Sequence, residues 1–186
     1  MDALELLLGR ESAMKLASPG PNQEALDVMF QSALRAPDHG RLRPWRFVVV
    51  PEDKRERFGE VMADCLHRQV PTASADMLQR ERDKALRAPV IVVVAAQVHR
   101  GHKIPEVEQL VSAAAAAENI MLAANAQGFG AMWKTGAPAY DATVKRALGL
   151  DSDSDIVGFL YVGTQVGGGS PAARPVVHDL VSVWQG

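Results

Sequence analysis

Cysteine is nearly missing from the 186-residue chain: Cys65 stands alone. One thiol cannot close an intramolecular disulfide, so a reducing, cytoplasmic setting is expected. Charge of one sign is lacking too. Twenty Lys and Arg are interleaved with 22 Asp and Glu, for a net charge of −2. That balance offers no basic surface to nucleic acid or to an anionic membrane. No clean hydrophobic run reaches membrane length. The most apolar long stretch, Leu110–Gln127, is broken by Glu118, Asn119 and Asn125 and reads as a buried helix of a soluble protein. Met1-Asp2 leads directly into an amphipathic helical pattern, without the charged and then apolar opening of a signal peptide.

Several motifs are present only in part. Gly128-Phe129-Gly130 lacks the third glycine of a dinucleotide fingerprint and follows a helix rather than a strand. Gly163 to Ser170 resembles a phosphate loop but has Gly169 where lysine is required. His99 and His102 have no Cys, Asp or Glu partners at metal spacing nearby, and read as loop residues rather than ligands. Cys65 lies among helix residues and reads as packed rather than reactive. No Ser-His-acid order stands out, and no dedicated catalytic acid or base is assigned.

What is present is enough apolar content, 47% of residues, for one domain over residues 1–186 with a substantial core. Strand patterns occur at Trp45 to Val50, Val90 to Ala96, Phe129 to Lys134 and Ile156 to Gly163. The unbroken β-branched run after Ala88-Pro89 predicts a strand covered on both faces. Helical patterns precede and separate them: a short first helix from Leu4 to near Gly9, one from a cap at Asn22 to about Arg35, charged ones over Glu52–Arg68 and Ala73–Arg87, a long one over about Pro105–Gln127, and one from about Asp141 to Leu148. The expectation is an α+β, three-layer fold: a central mixed sheet of about four strands with helices on both sides. Val111 to Ala117 is almost wholly small residues, which suits either a central helix or a dimer seam. An apolar tail (Val177, Leu180, Val183, Trp184) follows a flexible Gly167-Gly168-Gly169-Ser170 linker. Together the helix and the tail favour a homodimer.

Three segments carry chemistry. Arg10 and Ser12, with Lys15 behind, can face one phosphate: a forked charged donor beside a short neutral one. Alone, the same residues read as a solvated helix end. Arg35 to Trp45, stiffened by Pro37 and Pro44 and bearing Arg35, His39, Arg41 and Arg43, is a basic loop entering a buried strand. It suits an anion or an electron-rich ring, or is a surface loop with a packed tryptophan. Gly128 to Gly136 lets the backbone approach a planar ligand closely, or serves a tight helix-to-strand turn.

Together with Arg55-Glu-Arg-Phe58, Arg87-Ala-Pro89, His102-Lys-Ile-Pro105, Ala126-Gln-Gly-Phe-Gly130 and Ile156 to Gly163, these segments resemble the FMN-dependent nitroreductase family, particularly its compact YdjA-like branch. The resemblance covers nearly the whole chain. It implies an intertwined homodimer with flavin sites at the subunit interface. In it Arg10, Glu11 and Ser12 match the FMN phosphate and ribityl contacts, with Lys15 near the ring, and Ala131, Met132 and Trp133 match the segment lining the isoalloxazine. Arg35 and His39 resemble residues reaching the other subunit's flavin, and Arg174-Pro175 a late phosphate contact. The implied activity is ping-pong hydride transfer from NADH or NADPH to a small-molecule acceptor such as a nitroaromatic, quinone or enone, with Lys15 or Arg41 as candidates to stabilise negative charge on the ring. Other FMN chemistry of the same fold, dehydrogenation or dehalogenation, and a non-catalytic flavin-binding role are the alternatives. The chain departs from the family pattern at Glu11, where a second Arg is usual, and at Arg43, where Gln is usual. Both change the charge around the expected site.

Overall fold

The computed structural model describes residues 2–167 and 173–186. Gly168-Gly169-Ser170 of the expected flexible linker lies outside the described residues. Helix α1 (Ala3–Gly9) opens with a capping box: the Asp2 carboxylate accepts from Leu4 and Glu5 N–H, and Glu5 accepts from the Asp2 N–H. Such a cap is worth about 1 kcal/mol. A two-residue strand, β1 (Leu16–Ala17), follows. Asn22 caps α2 (Gln23–Ala33) through the Ala25 N–H at 2.9 Å. The helix ends before Ala36-Pro37, which forbids its continuation.

The remaining elements are β2 (Trp45–Val50), α3 (Arg55–Gln69), α4 (Ala75–Lys84), β3 (Val90–Gln97), α5 (Glu106–Ala126), β4 (Gly130–Lys134), α6 (Ala137–Tyr140), α7 (Ala142–Ala147) and β5 (Ser154–Gln165). Strand β5 organises the sheet. It pairs with β3 over Ser154–Val162, with β4 over Phe159–Gly163, and with β1 at Thr164 and Gln165, while β2 lies on the far side of β3.

The α+β class stands, with two corrections. The sheet has five strands rather than about four, because β1 is too short to leave a period in the sequence. Every pairing among the described residues is antiparallel, so the sheet is not mixed. Helices cover both faces and impose the same unbroken apolar run on an antiparallel strand as on a parallel one. In β3, Val90, Val92 and Val94 point into a core shared with α2 and α5, while Ile91, Val93 and Ala95 point into one shared with α3 and α7. Full burial of each such side chain contributes about 1.5–3 kcal/mol.

The alanine-rich stretch belongs to the central helix of the chain. Ser112, Ala113, Ala116 and Ala117 of α5 are buried, and their small side chains let α5 lie close to both α2 and the sheet. On its outer side Val107 and Val111 remain exposed, as do Val177, Leu180, Val183 and Trp184 of the tail. Among the described residues no helix is long and apolar enough to cross a membrane.

Candidate functional site

The segment Arg10–Lys15 has no regular structure of its own and is laid along the edge of the sheet. The Ala13 N–H donates to the Ala131 carbonyl at 3.0 Å, and the Val166 N–H to the Lys15 carbonyl at 3.1 Å. Gly130 makes this possible: a Cβ there would lie 2.8 Å from the Ala13 Cβ and 2.9 Å from Leu16 Cδ2. Gly128, at φ +83°, turns the chain from α5 into β4. Of the two uses open to these glycines, the structure shows the turn, together with room for the protein's own N-terminal loop.

A cavity of about 430 Å³ opens where this loop meets the sheet, lined by Lys15, Leu16, Arg87, Met132, Lys134 and Tyr161 among others. The period of a strand divides the three residues expected around a ring. Met132 faces the cavity, whereas Ala131 and Trp133 turn toward α5. The Trp133 indole lies over Gly158, where a Cβ would collide with it, and donates to the Val157 carbonyl at 3.2 Å.

Arg10 is held by Glu118 of α5, Nε to Oε1 at 3.1 Å. The Arg174 guanidinium donates to the Arg10 carbonyl at 2.9 Å, so the tail does return to the N-terminal loop. Glu11 pairs with neither Lys15 nor Arg10. Its carboxylate accepts from Gln165 Nε2 at 3.2 Å. Ser12 is exposed beside them.

Arg35 and His39 lie elsewhere in the chain. Arg35 is exposed on a shallow groove with Leu6 and Asn119, and the His39 Nδ1 lies 2.6 Å from Glu108 Oε2. Glu108 and Glu118, the partners of His39 and Arg10, are ten residues apart on α5, about 15 Å along its axis. The loop bearing His39 is braced by hydrogen bonds. Asp38 accepts from the N–H groups of Leu42 and Arg43, and Arg41 and Arg43 both hold positive φ. Trp45 Nε1 donates to Ser112 Oγ at 2.9 Å, and that hydroxyl donates to the Pro37 carbonyl at 2.6 Å.

Around His99 and His102 the contacts are largely to the backbone. Gln109, itself buried, donates to the His99 carbonyl and accepts from its N–H, and the Ile104 N–H donates to His102 Nδ1. Burial pushes the Cys65 thiol up to about 11, which keeps it protonated and unreactive at neutral pH.

Sequence reasoning missed Glu118, Gln165 and Tyr161 as neighbours of these groups. Each reaches them through strand pairing or helix packing that leaves no local signature. A register of β4 against β5 would have placed Tyr161 beside Met132, its cross-strand partner.

The family model described as the nitroreductase family matches residues 7–164. The chain is 42% identical over 166 residues to the "Putative NAD(P)H nitroreductase YdjA" of Escherichia coli (strain K12), covering 88% of each. Its fold is similar to that of a nitroreductase-like family protein from Bacillus cereus, with a TM-score of 0.86 at 20% identity, covering 100% of this chain and 97% of that one. It is also similar to a nitroreductase with bound FMN from Bacteroides fragilis, with a TM-score of 0.76 at 17% identity over 100% of both chains.

Proposed function

Because the chain belongs to the nitroreductase family, we propose that it is an FMN-dependent NAD(P)H oxidoreductase that reduces nitroaromatic, quinone or similar small acceptors. The observation that carries this reading is the cavity where Lys15, from the N-terminal loop, meets Met132 and Lys134, from β4, with Arg10 and the Arg174 guanidinium at the same loop.

These residues fit the cofactor. The cavity walls are largely apolar, which suits a flat ring, and Lys15 supplies a positive charge there. Arg10 pairs with Glu118 through Nε and, with Ser12 and Arg174, would hold the phosphate and ribityl chain. The Glu11 carboxylate accepts from Gln165 rather than engaging Arg10 or Lys15, which leaves both cations to the cofactor. Bound there, FMN supplies hydride transfer in two alternating half-reactions, from NADH or NADPH and then to the acceptor. Lys15 lowers the energy of negative charge that develops beside it, more effectively against apolar walls than in water.

In this reading the protein works as a cytoplasmic homodimer, and Arg35 and His39 serve the partner's flavin. Their distance from the cavity in their own chain supports that role, as do the apolar side chains left uncovered on α1 and in the tail, with Trp184 89% exposed.

The visible spectrum of the purified protein tests the proposal. A yellow protein that releases about one FMN per chain and bleaches with NADH or NADPH is expected. Yellow protein that neither nicotinamide bleaches moves the activity to other FMN chemistry. A colourless protein that FMN cannot reconstitute overturns the flavin reading.

A further inference from the structure

A second cavity, of about 210 Å³, lies between α3, the end of α4 and the connection from β4 to α6. It shares Arg87, Lys134 and Tyr161 with the cavity discussed above. Its two ends differ in chemistry. Met62, Cys65 and Phe159 give it a buried apolar floor, while Lys84, Arg87 and Lys134 stand at its mouth.

The charges at the mouth are not balanced. Lys84 is spent on an ion pair with Glu81. Among the described residues, neither Arg87 nor Lys134 has a carboxylate partner. The backbone on either side of Arg87 is held: the Arg55 guanidinium donates to the carbonyls of Leu86 and Ala88, the latter at 2.9 Å. Tyr161 lines the same cavity as these two cations. The residue is 3% exposed, and its hydroxyl makes no hydrogen bond to any described residue. No buried polar side-chain atom among the described residues is left without a partner, so this hydroxyl opens onto the cavity and is available as a donor to whatever occupies it.

We propose that this cavity binds a small organic carboxylate, its hydrocarbon part on Met62 and Phe159 and its carboxylate gripped by Arg87, Lys134 and the Tyr161 hydroxyl. The forked guanidinium matches the two oxygens of a carboxylate, and the apolar floor excludes a bare inorganic anion as the fitting ligand. Burial pushes the Tyr161 hydroxyl up to about 12, so at neutral pH it is a donor, as an anion requires. The Cys65 thiol is likewise neutral and adds no repulsion. Resting on the proposed function, the site narrows the acceptor class: acceptors bearing a carboxylate are bound beside the flavin cavity in preference to neutral ones.

Calorimetric titration of the purified protein with benzoate, and with neutral benzamide as its near-isostere, tests the site without any redox step. Benzoate is expected to bind and benzamide not. Tyr161→Phe should weaken benzoate about ten-fold, and Arg87→Gln should weaken it by at least as much, with Arg87→Lys recovering part of the loss. Thermal unfolding of each variant shows whether it is folded. Equal binding of benzoate and benzamide, or unchanged binding in folded Tyr161→Phe and Arg87→Gln, overturns the site. Displacement of benzoate by equimolar inorganic phosphate overturns the carboxylate assignment. The acceptor class is read separately, as kcat/KM for 4-nitrobenzoate against 4-nitrobenzamide. A preference for the acid that Arg87→Gln erases supports it, and equal values overturn it. If the protein proves colourless yet binds benzoate, the flavin reading fails while the site stands.

Discussion

The loop from Arg10 to Lys15 hangs on two backbone hydrogen bonds at the sheet edge, one to Ala131 and one from Val166, whereas the loop from Arg35 to Pro44 is braced from within by Asp38 and from outside by α5. In the second loop a single side chain, Asp38, accepts two N–H groups of its own segment, and Ser112 ties Pro37 to Trp45. Both loops are rich in cations, and the sequence marks both as candidate binding segments. The difference between them is what their polar groups are committed to. The second loop spends Asp38 on its own shape and Pro37 and His39 on contacts with α5. The first leaves Ser12 and Lys15 facing outward and depends on the sheet edge for position.

The largest test of that dependence is Gly130→Val. The new side chain enters space held by Ala13, Leu16 and Gln165, with the nearest atoms at 2.8–3.0 Å from its Cβ. Overpacking of this kind costs about 2–3 kcal/mol. Thermal unfolding should show that loss, and FMN retention should fall with it as the Arg10–Lys15 loop is pushed off β4. Retention at the wild-type level in a folded variant would mean that the loop has support of its own.

Asp38→Ala probes the other side of the comparison. It strips two N–H acceptors from a backbone that carries positive φ at Arg41 and Arg43, a loss of about 1–2 kcal/mol. Limited trypsin digestion should then cut after Arg41 faster than in the wild type. An unchanged cleavage rate would show that Ser112 and Trp45 suffice to hold the loop.

Glu118→Gln has the smallest expected effect on stability, below about 0.5 kcal/mol, because the pair with Arg10 is partly exposed. Its effect on the proposed FMN site runs the other way. With its carboxylate removed, Arg10 is free to face a phosphate, so apoprotein should take up FMN more tightly, as a fluorescence titration would report. Weaker uptake would make Glu118 the residue that aims Arg10.

How much of this was legible depended on the range of the interaction. Runs such as Val90 to Ala96 declared a strand buried on both faces because every residue in them is apolar. The cap at Asn22 could be read from its neighbours. The two-residue β1 could not, since it exists only through its pairing with Thr164 and Gln165. The segment Ala131 to Trp133 was singled out as a unit, yet one strand sends its members to opposite faces, and only the sheet decides which. Arg10 could be picked out, but not its engagement with Glu118, which lies across a helix packing that no local pattern encodes.

The position of β5 has a consequence for how the protein is made. Three of the other four strands, β1, β3 and β4, find their partner in residues 154–165. While a ribosome is still upstream of that stretch, the nascent chain can join only β2 to β3, and the N-terminal loop has no completed sheet edge to settle on. The cavity with Lys15 and Met132 is therefore among the last things synthesis delivers. Pairing between such distant segments closes slowly, and a truncated chain that stops before Ser154 would carry most of the residues of the site and none of its shape.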